Sequence, residues 1–234
     1  TTIVAFVFTV LLARQFVQRR KTHQIVWMVA MLLYALSALM EFLMNMDLYG
    51  ASASAGVTIF RVYYIMAAPL VGLLGAGVVF LLVRKRFANY FLGFIIILSI
   101  ALAIAGLVVP INETVILNSF SGDLAAGFGN ATKNAYPITV RAFAIVLNSI
   151  GGLVLILGPL YSLVRDRSRL YNIQLFIGGL LPSIGGSLIG LGNPDVFFQF
   201  ELGGTIFLFI GFVWSDIWIR KRQTTPSAPQ KPST

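Results

Sequence analysis

Four ionisable side chains lie inside long apolar stretches of this sequence, where a charge is costly to place. They are Glu41, Arg61, Arg141 and Glu201. If each stretch is a helix, each residue lies ~5–9 Å inside the same end of its helix, at 1.5 Å per residue. Ionisable residues at such depth usually bind ligands, carry protons or pair with one another. We therefore expect two acids and two bases, from four helices, to occupy one layer.

Residues at helical spacing from these charges extend the layer inward. The predicted ligand-binding set is Tyr34, Ser37, Glu41, Arg61, Tyr64, Arg141, Asn148, Ser183, Ser187, Glu201 and Thr205. We expect them to outline a pocket that opens outward and orients a small polar or amphipathic molecule. The alternative is structural: the four charges pair with each other and pin the helices, or Arg61 extends to the membrane interface.

The composition excludes several kinds of site. There is no cysteine, so the chain forms no disulfide and no thiolate metal site. The single histidine, His23, cannot by itself build a bis-histidine haem or a multi-histidine metal site. The last apolar stretch has no lysine for a retinal Schiff base, and no nucleotide or nucleophile-elbow motif appears. We expect no enzymatic activity, no cofactor and no metal.

The elements that position the charges are predicted to cross a membrane. Hydrophobic residues make up 58% of the 234-residue chain and charged residues 11%, against roughly 25% charged in soluble domains. Spans without access to water must be helical, since lipid offers backbone groups no partner. We predict an all-α membrane protein, a bundle of seven transmembrane helices at Thr1–Val17, Gln24–Asn45, Thr58–Val83, Phe87–Val109, Pro137–Val164, Tyr171–Leu191 and Val196–Ile219.

Basic residues are clustered after every second predicted span. Clusters at Arg19–Lys21, Arg84–Arg86, Arg165–Arg169 and Arg220–Arg222 follow spans one, three, five and seven, whereas the loops between carry only Lys133. The net charge of +9 therefore favours membrane topology over nucleic-acid binding. The positive-inside rule places the N-terminus outside and the C-terminus in the cytoplasm. We expect a multi-pass protein of the cytoplasmic (plasma) membrane, with residues 1–219 as the transmembrane domain and 220–234 as a basic end and disordered tail.

Two further segments have distinctive compositions. The stretch Tyr171–Gly192 has no charge, six glycines including a Gly186–Gly190 GxxxG spacing, and Pro182 in its middle. We interpret it as a kinked central helix against which neighbours pack, although glycine and proline are also generally commoner in membrane helices. The 27-residue segment Pro110–Tyr136 is polar and rich in glycine and asparagine. It is either a lid over the outer mouth or a floppy loop.

Three stretches together carry a resemblance to a known family. They are WMVAMLLYALSALMEF, YYIMAAPLVGLLGAGVVFLL and IQLFIGGLLPSIGGSLI. Their tryptophan and near-terminal Glu41, their Pro69, and their proline followed by small residues resemble the seven-transmembrane N-terminal sensor region of histidine kinases and related bacterial signalling proteins. The resemblance covers most of Arg14 to Trp218 and implies a receptor attached to a kinase or cyclase domain. No HisKA-like helix follows in this sequence, so the implied output domain or partner lies outside it.

The sequence therefore predicts a sensor module that binds a small ligand at its extracytoplasmic side. Ligand binding would rearrange the helices and signal to a cytoplasmic output domain or partner. Expected partners are the lipid bilayer, the small-molecule ligand, a kinase or cyclase output domain and a second copy of the chain, but no nucleic acid. The alternatives are a small transporter or permease, and an accessory subunit of a larger membrane complex.

Overall fold

A computed structural model describes residues 1–45, 53–119, 124–167, 170–190 and 196–224. Within these ranges the chain is helical, with short connections. The helices are α1 (Thr2–Arg19), α2 (Thr22–Asn45), α3 (Ala53–Leu82), α4 (Lys85–Val108), α5 (Glu113–Ser119), α6 (Leu124–Asn134), α7 (Ile138–Arg165), α8 (Tyr171–Gly190) and α9 (Phe197–Thr224). The predicted all-α class is thus confirmed for the described residues.

Six of these helices are long and apolar enough to cross a membrane. These segments are Thr2–Arg19, Thr22–Met44, Ala55–Leu82, Lys85–Val108, Ile138–Arg165 and Phe197–Trp214. The chain is therefore a multi-pass helical membrane protein. The predicted sixth span corresponds to α8, which is a 20-residue helix but is not among these six. The count of seven spans stays a prediction.

Two helix ends differ from the predicted boundaries by five residues, and the other ends of the predicted spans agree within two. Helix α3 begins at Ala53, five residues before the predicted Thr58, and α9 runs to Thr224, beyond the predicted Ile219. The segment Arg220–Arg222, predicted as the start of a separate basic end, therefore continues the backbone helix of α9. The remainder of the predicted tail, 225–234, lies outside the described residues.

The long helices form a ring with one helix outside it. Neighbours around the ring are α1, α2, α3, α7, α8 and α9, and α1 closes it by contacting α9. Helix α4 packs against α3 and α7 from outside. The helix with the most neighbours is α3, which also contacts α5. The prediction that α8 is the central helix is therefore wrong: it packs mainly against α7 and α9 and also contacts α6. Its described glycines face α7 and α9.

Glycines set the closest helix crossings. At the α3–α7 crossing, a Cβ added to Gly75 would lie 2.7 Å from the Gly151 carbonyl oxygen, and one added to Gly151 would lie 2.6 Å from the Gly72 Cα. At the α8–α9 crossing, a Cβ on Gly204 would lie 2.6 Å from Pro182 Cδ. Backbones approach this closely only where side chains are absent. Gly186 and Gly190, which form the GxxxG spacing of the sequence, lie outside the residues whose packing is described.

An aromatic cluster fills the half of the ring in which α1 packs. Phe8 contacts Phe209 and Phe212 edge-on or tilted, at centroid distances of 5.4 and 5.1 Å, and Trp27 contacts Phe212 at 5.7 Å. The Trp27 indole N–H donates to the Leu74 carbonyl oxygen at 3.0 Å, crossing from α2 to α3. The ring is therefore filled largely by apolar side chains at this level.

Both described parts of the segment Pro110–Tyr136 are folded, and each contains a helix. The Asn112 backbone N–H donates to the Ala135 carbonyl oxygen at 2.9 Å, which closes the segment at its base. Between these residues, α5 and α6 pack together; α5 also contacts α3, and α6 contacts α8. Ile116 and Ala131 are fully buried. The floppy-loop alternative is thus wrong for the described residues, because apolar side chains anchor both helices.

Candidate functional site

A cavity of about 730 Å³ lies between α2, α3, α7, α8 and α9 and extends to α6. Its volume falls within the range of small-molecule sites. Eight of the eleven predicted site residues line it, namely Tyr34, Ser37, Glu41, Tyr64, Arg141, Asn148, Ser183 and Glu201. Side chains from separate helices therefore do meet at the end of the bundle where α2 ends and α7 and α9 begin.

Two buried acids face each other in the wall of this cavity. The carboxyl groups of Glu41 and Glu201 interact directly, and Tyr63 hydrogen-bonds to Glu41. Both acids are almost fully buried, at 8% and 7% exposure. Two carboxyl groups in a low-dielectric site interact favourably when one carries a proton and donates it to the other. The sequence predicted acids and bases in one layer but did not predict that the acids would pair.

The Glu201 backbone is also fixed. The Tyr34 hydroxyl donates to the Glu201 carbonyl oxygen at 3.2 Å, and the Thr205 hydroxyl donates to the same oxygen at 2.9 Å. The Glu201 Oε2 atom, by contrast, is buried and has no hydrogen-bond partner among the described residues. An oriented acceptor without a partner is costly to bury. This oxygen is thus an uncompensated polar atom beside the acid pair.

Two cations lie in the same wall. Arg141 comes from the first turn of α7, close enough to Tyr64 to interact electrostatically with its hydroxyl. Lys133 comes from the last turn of α6. Within the described ranges neither forms an ion pair with a carboxylate. The charge-pairing alternative, in which the acids and bases neutralise each other, is therefore not what these residues show.

Three leucines close the cavity at its inner end. Leu74, Leu155 and Leu208 line both the cavity and a small apolar void beneath it. The void is otherwise walled by side chains that include Phe8, Trp27 and Met31. All three leucines are buried. The polar interior thus ends at an apolar floor, above the aromatic cluster.

Three predicted site residues are not shown in the cavity wall. Thr205 is fully buried but does not line the cavity, because its hydroxyl bonds back to the preceding turn. The side chain of Ser187 lies outside the described residues. Arg61 points to α4 instead: its guanidinium donates to the carbonyl oxygens of Gly106 and Leu107 at 3.0 and 2.8 Å. The prediction that Arg61 belongs to the ligand-binding set is therefore wrong.

Arg61 instead caps the C-terminal end of α4. The last four carbonyl groups of a helix have no intrahelical partner, and a cation there also interacts favourably with the helix dipole. Tyr136 adds a second donor, because its hydroxyl bonds to the Gly106 oxygen at 2.8 Å. Burial raises the pKa of this hydroxyl, an effect that Arg61 partly offsets, so Tyr136 remains a donor at neutral pH.

Replacing Arg61 with methionine is expected to destabilise the protein by about 2 kcal/mol. The reason is that hydrogen bonds from a charged group to partly buried acceptors contribute roughly 1.5–3 kcal/mol. Equilibrium unfolding in mixed micelles, with a rising proportion of denaturing detergent, measures the change in the free energy of unfolding. Arg86→Met is the matched control, since Arg86 is exposed near the start of the same helix. Equal losses for the two variants would contradict the capping role.

Several wall residues were not predicted. They are Tyr63 on α3, Thr132 and Lys133 on α6, Ser149 on α7, Pro182 on α8 and Phe197 on α9. Lys133 had a signal, as the single basic residue in the predicted outer segments. Tyr63 and Ser149 each adjoin a predicted site residue, so a wider helical face would have included them.

Comparison with known proteins adds no assignment. The chain matches no family model, no curated protein and no solved structure.

Proposed function

We propose that this chain is a membrane-embedded sensor module, similar in organisation to the sensor region of histidine kinases. It has seven transmembrane helices, with α8 as the sixth, in the cytoplasmic membrane. Its N-terminus is outside and its C-terminus is in the cytoplasm. A ligand in the cavity rearranges the helices, and the change reaches a cytoplasmic output domain or partner.

The observation that carries this proposal is a charged cavity that ends at an apolar floor. The cavity brings together Glu41, Arg141 and Glu201 from α2, α7 and α9. A molecule bound among them contacts helices on both sides of the ring. It can therefore favour one arrangement of these helices over another, which is the requirement for signalling.

The experiment has two readouts, binding and rearrangement. Purified protein in lipid nanodiscs is screened by thermal shift against carboxylic acids, amines, sugars and lipids. Spin labels at the inner ends of α7 and α9 then report their separation with and without each molecule that binds. We expect at least one of these molecules to raise the unfolding temperature and to change the distance between the labels. If binding molecules leave the label distance unchanged, the sensor function is wrong.

Variants locate the binding site. Arg141→Gln and Lys133→Gln should each weaken binding about 10-fold or more, because charged hydrogen bonds contribute roughly 1.5–3 kcal/mol. Lys85→Gln is the matched control: it removes a positive charge from an exposed position at the start of α4. Equal affinity in all three variants would place binding elsewhere.

The Glu41–Glu201 pair favours one second candidate, a proton-coupled transporter, because paired carboxyl groups within membranes serve as proton relays. The leucine floor argues against it, since a transport path must continue through the membrane. Proteoliposomes containing a pH-sensitive dye distinguish the two. Substrate-dependent acidification that is lost in Glu201→Gln would favour transport over sensing.

A further inference from the structure

One wall of the cavity coincides with the outer surface of α7. Ile145 and Ser149 line the cavity, yet both are exposed, Ile145 at 51%. They share a helical face with Leu153 and Leu157, which are exposed on the outside of the bundle. Because this face continues into the outward-facing Leu153 and Leu157, the exposure indicates that the cavity reaches the outside between α7 and a neighbouring helix.

That neighbour is α8. Pro182 and Ser183 line the cavity from α8, and Ser183 is exposed. Further in, the two helices close together: a Cβ on Gly179 would lie 3.0 Å from Leu155 Cγ. On the opposite wall, Glu41 and Tyr64 are buried. The opening is therefore a gap between the outer halves of α7 and α8.

The gap lies at membrane depth and not at the water surface. Ser149 is eleven residues from the start of α7 at Ile138, about 17 Å along the helix. Helix α6 packs on α8 and adds Thr132 and Lys133 to the cavity wall. Among the described residues, it thus packs over part of the end of the cavity that would otherwise face water. A molecule entering by the gap comes from the lipid.

The cavity interior changes in character with depth. Its outer part holds four ionisable side chains. The acids Glu41 and Glu201 interact with each other, whereas Arg141 and Lys133 pair with no described carboxylate, so the cations are the charges left without a partner. Its inner part ends at Leu74, Leu155 and Leu208. A molecule that matches both parts has an anionic head and an apolar chain. A carboxylate suits Arg141 in particular, since guanidinium and carboxylate groups form paired hydrogen bonds.

We propose that the ligand is a long-chain carboxylate, which enters sideways from the bilayer between α7 and α8. Its head contacts Arg141 and Lys133, and its chain lies against the three floor leucines. The proposal rests on the sensor function and names the class of molecule that occupies its site.

Trp27 provides the reporter. It is 6% exposed, so bulk lipid cannot reach it, and its indole bonds to Leu74 in the cavity floor. With Trp214→Phe and Trp218→Phe as background, Trp27 is the remaining tryptophan. We expect stearic acid brominated near its chain end to quench Trp27 fluorescence saturably in nanodiscs. A brominated phospholipid at equal bromine density should quench it little.

A gap-blocking variant tests the route. Gly152 lines the cavity, and a Cβ there would have Val71 Cγ1 as its nearest neighbour, at 4.0 Å. Gly152→Leu should therefore fold and fill the gap. We expect it to weaken binding of the brominated acid, measured by quenching, 10-fold or more. Gly93→Leu is the matched control, since nothing lies within 4 Å of that Cβ on α4. Ser149→Phe provides an independent block at the lip of the gap if Gly152→Leu lowers the unfolding temperature.

The head group is tested separately. Arg141→Gln should weaken binding of the brominated acid at least 10-fold. It should weaken binding of the corresponding brominated alcohol much less. Unchanged acid affinity in Arg141→Gln, or in both blocking variants, would overturn the proposal. If no acid quenches Trp27 while another screened molecule changes the α7–α9 distance, this inference fails and the sensor function stands. If the acid binds as expected and that distance does not change, the inference stands and the sensor function fails.

Discussion

Replacing Gly151 with alanine is expected to prevent the protein from reaching its folded state at normal yield. The added methyl group would meet the Val71 carbonyl oxygen, and it would lie 2.6 Å from the Gly72 Cα and backbone nitrogen. These are backbone atoms, so no side-chain rotation relieves the contact. Overpacking typically costs 1–3 kcal/mol, and we expect about 3 kcal/mol or more here. The yield of monodisperse protein and its unfolding temperature measure the effect.

The neighbouring glycine is a closely matched control. A Cβ on Gly152 has nothing nearer than 4.0 Å, so Gly152→Ala should leave yield and unfolding temperature nearly unchanged. Both variants add one methyl group to the same turn of α7, which equalises their effect on helix propensity. If Gly151→Ala were as stable as Gly152→Ala, α3 and α7 could not cross as closely as described.

Trp27→Ala is expected to destabilise the bundle by about 3–5 kcal/mol, the range for a buried tryptophan truncated to alanine. The indole joins three helices: it hydrogen-bonds to Leu74 on α3, contacts Phe212 on α9 and occupies the space beside Gly77. Equilibrium unfolding, followed by the ellipticity at 222 nm, measures the loss.

Two controls separate packing from the hydrogen bond. Trp27→Phe keeps a ring but removes the N–H donor, so we expect it to lose less stability than Trp27→Ala. Trp214→Ala removes an equally large ring that is 41% exposed and should cost about 1 kcal/mol or less. Similar losses for Trp27→Ala and Trp214→Ala would show that the cluster does not hold the helices together.

Some of this structure could be predicted because the determining signals are local. A membrane span requires a continuous apolar stretch, and such stretches located the helices from α1 to α4, α7 and α9. Depth could be predicted as well, since the position of Glu41, Arg141 and Glu201 relative to a helix end follows from counting residues. Those three side chains do line one cavity.

The direction in which each side chain points was harder to predict. Helices that are apolar on all sides carry little signal for which face meets which neighbour. The hydrogen bonds from Arg61 to the end of α4 therefore could not be predicted. The pairing of Glu41 with Glu201 could not be predicted either. That α3 has more neighbouring helices than α8 depends on the order of helices in the bundle, which hydropathy does not encode. Helix α6 was missed because its anchoring residues, such as Ala131, are small and isolated among polar ones.

Helix α9 differs from α3, α7 and α8 in containing no proline. It continues as one helix from Glu201 in the cavity wall to Thr224, 23 residues and about 35 Å away. Without proline, no backbone hydrogen bond is lost along that length, so α9 has no proline kink and runs as one continuous helix. A translation of Glu201 along the helix axis would therefore reappear undiminished at the far end, and a small tilt there would be magnified by the length of the lever.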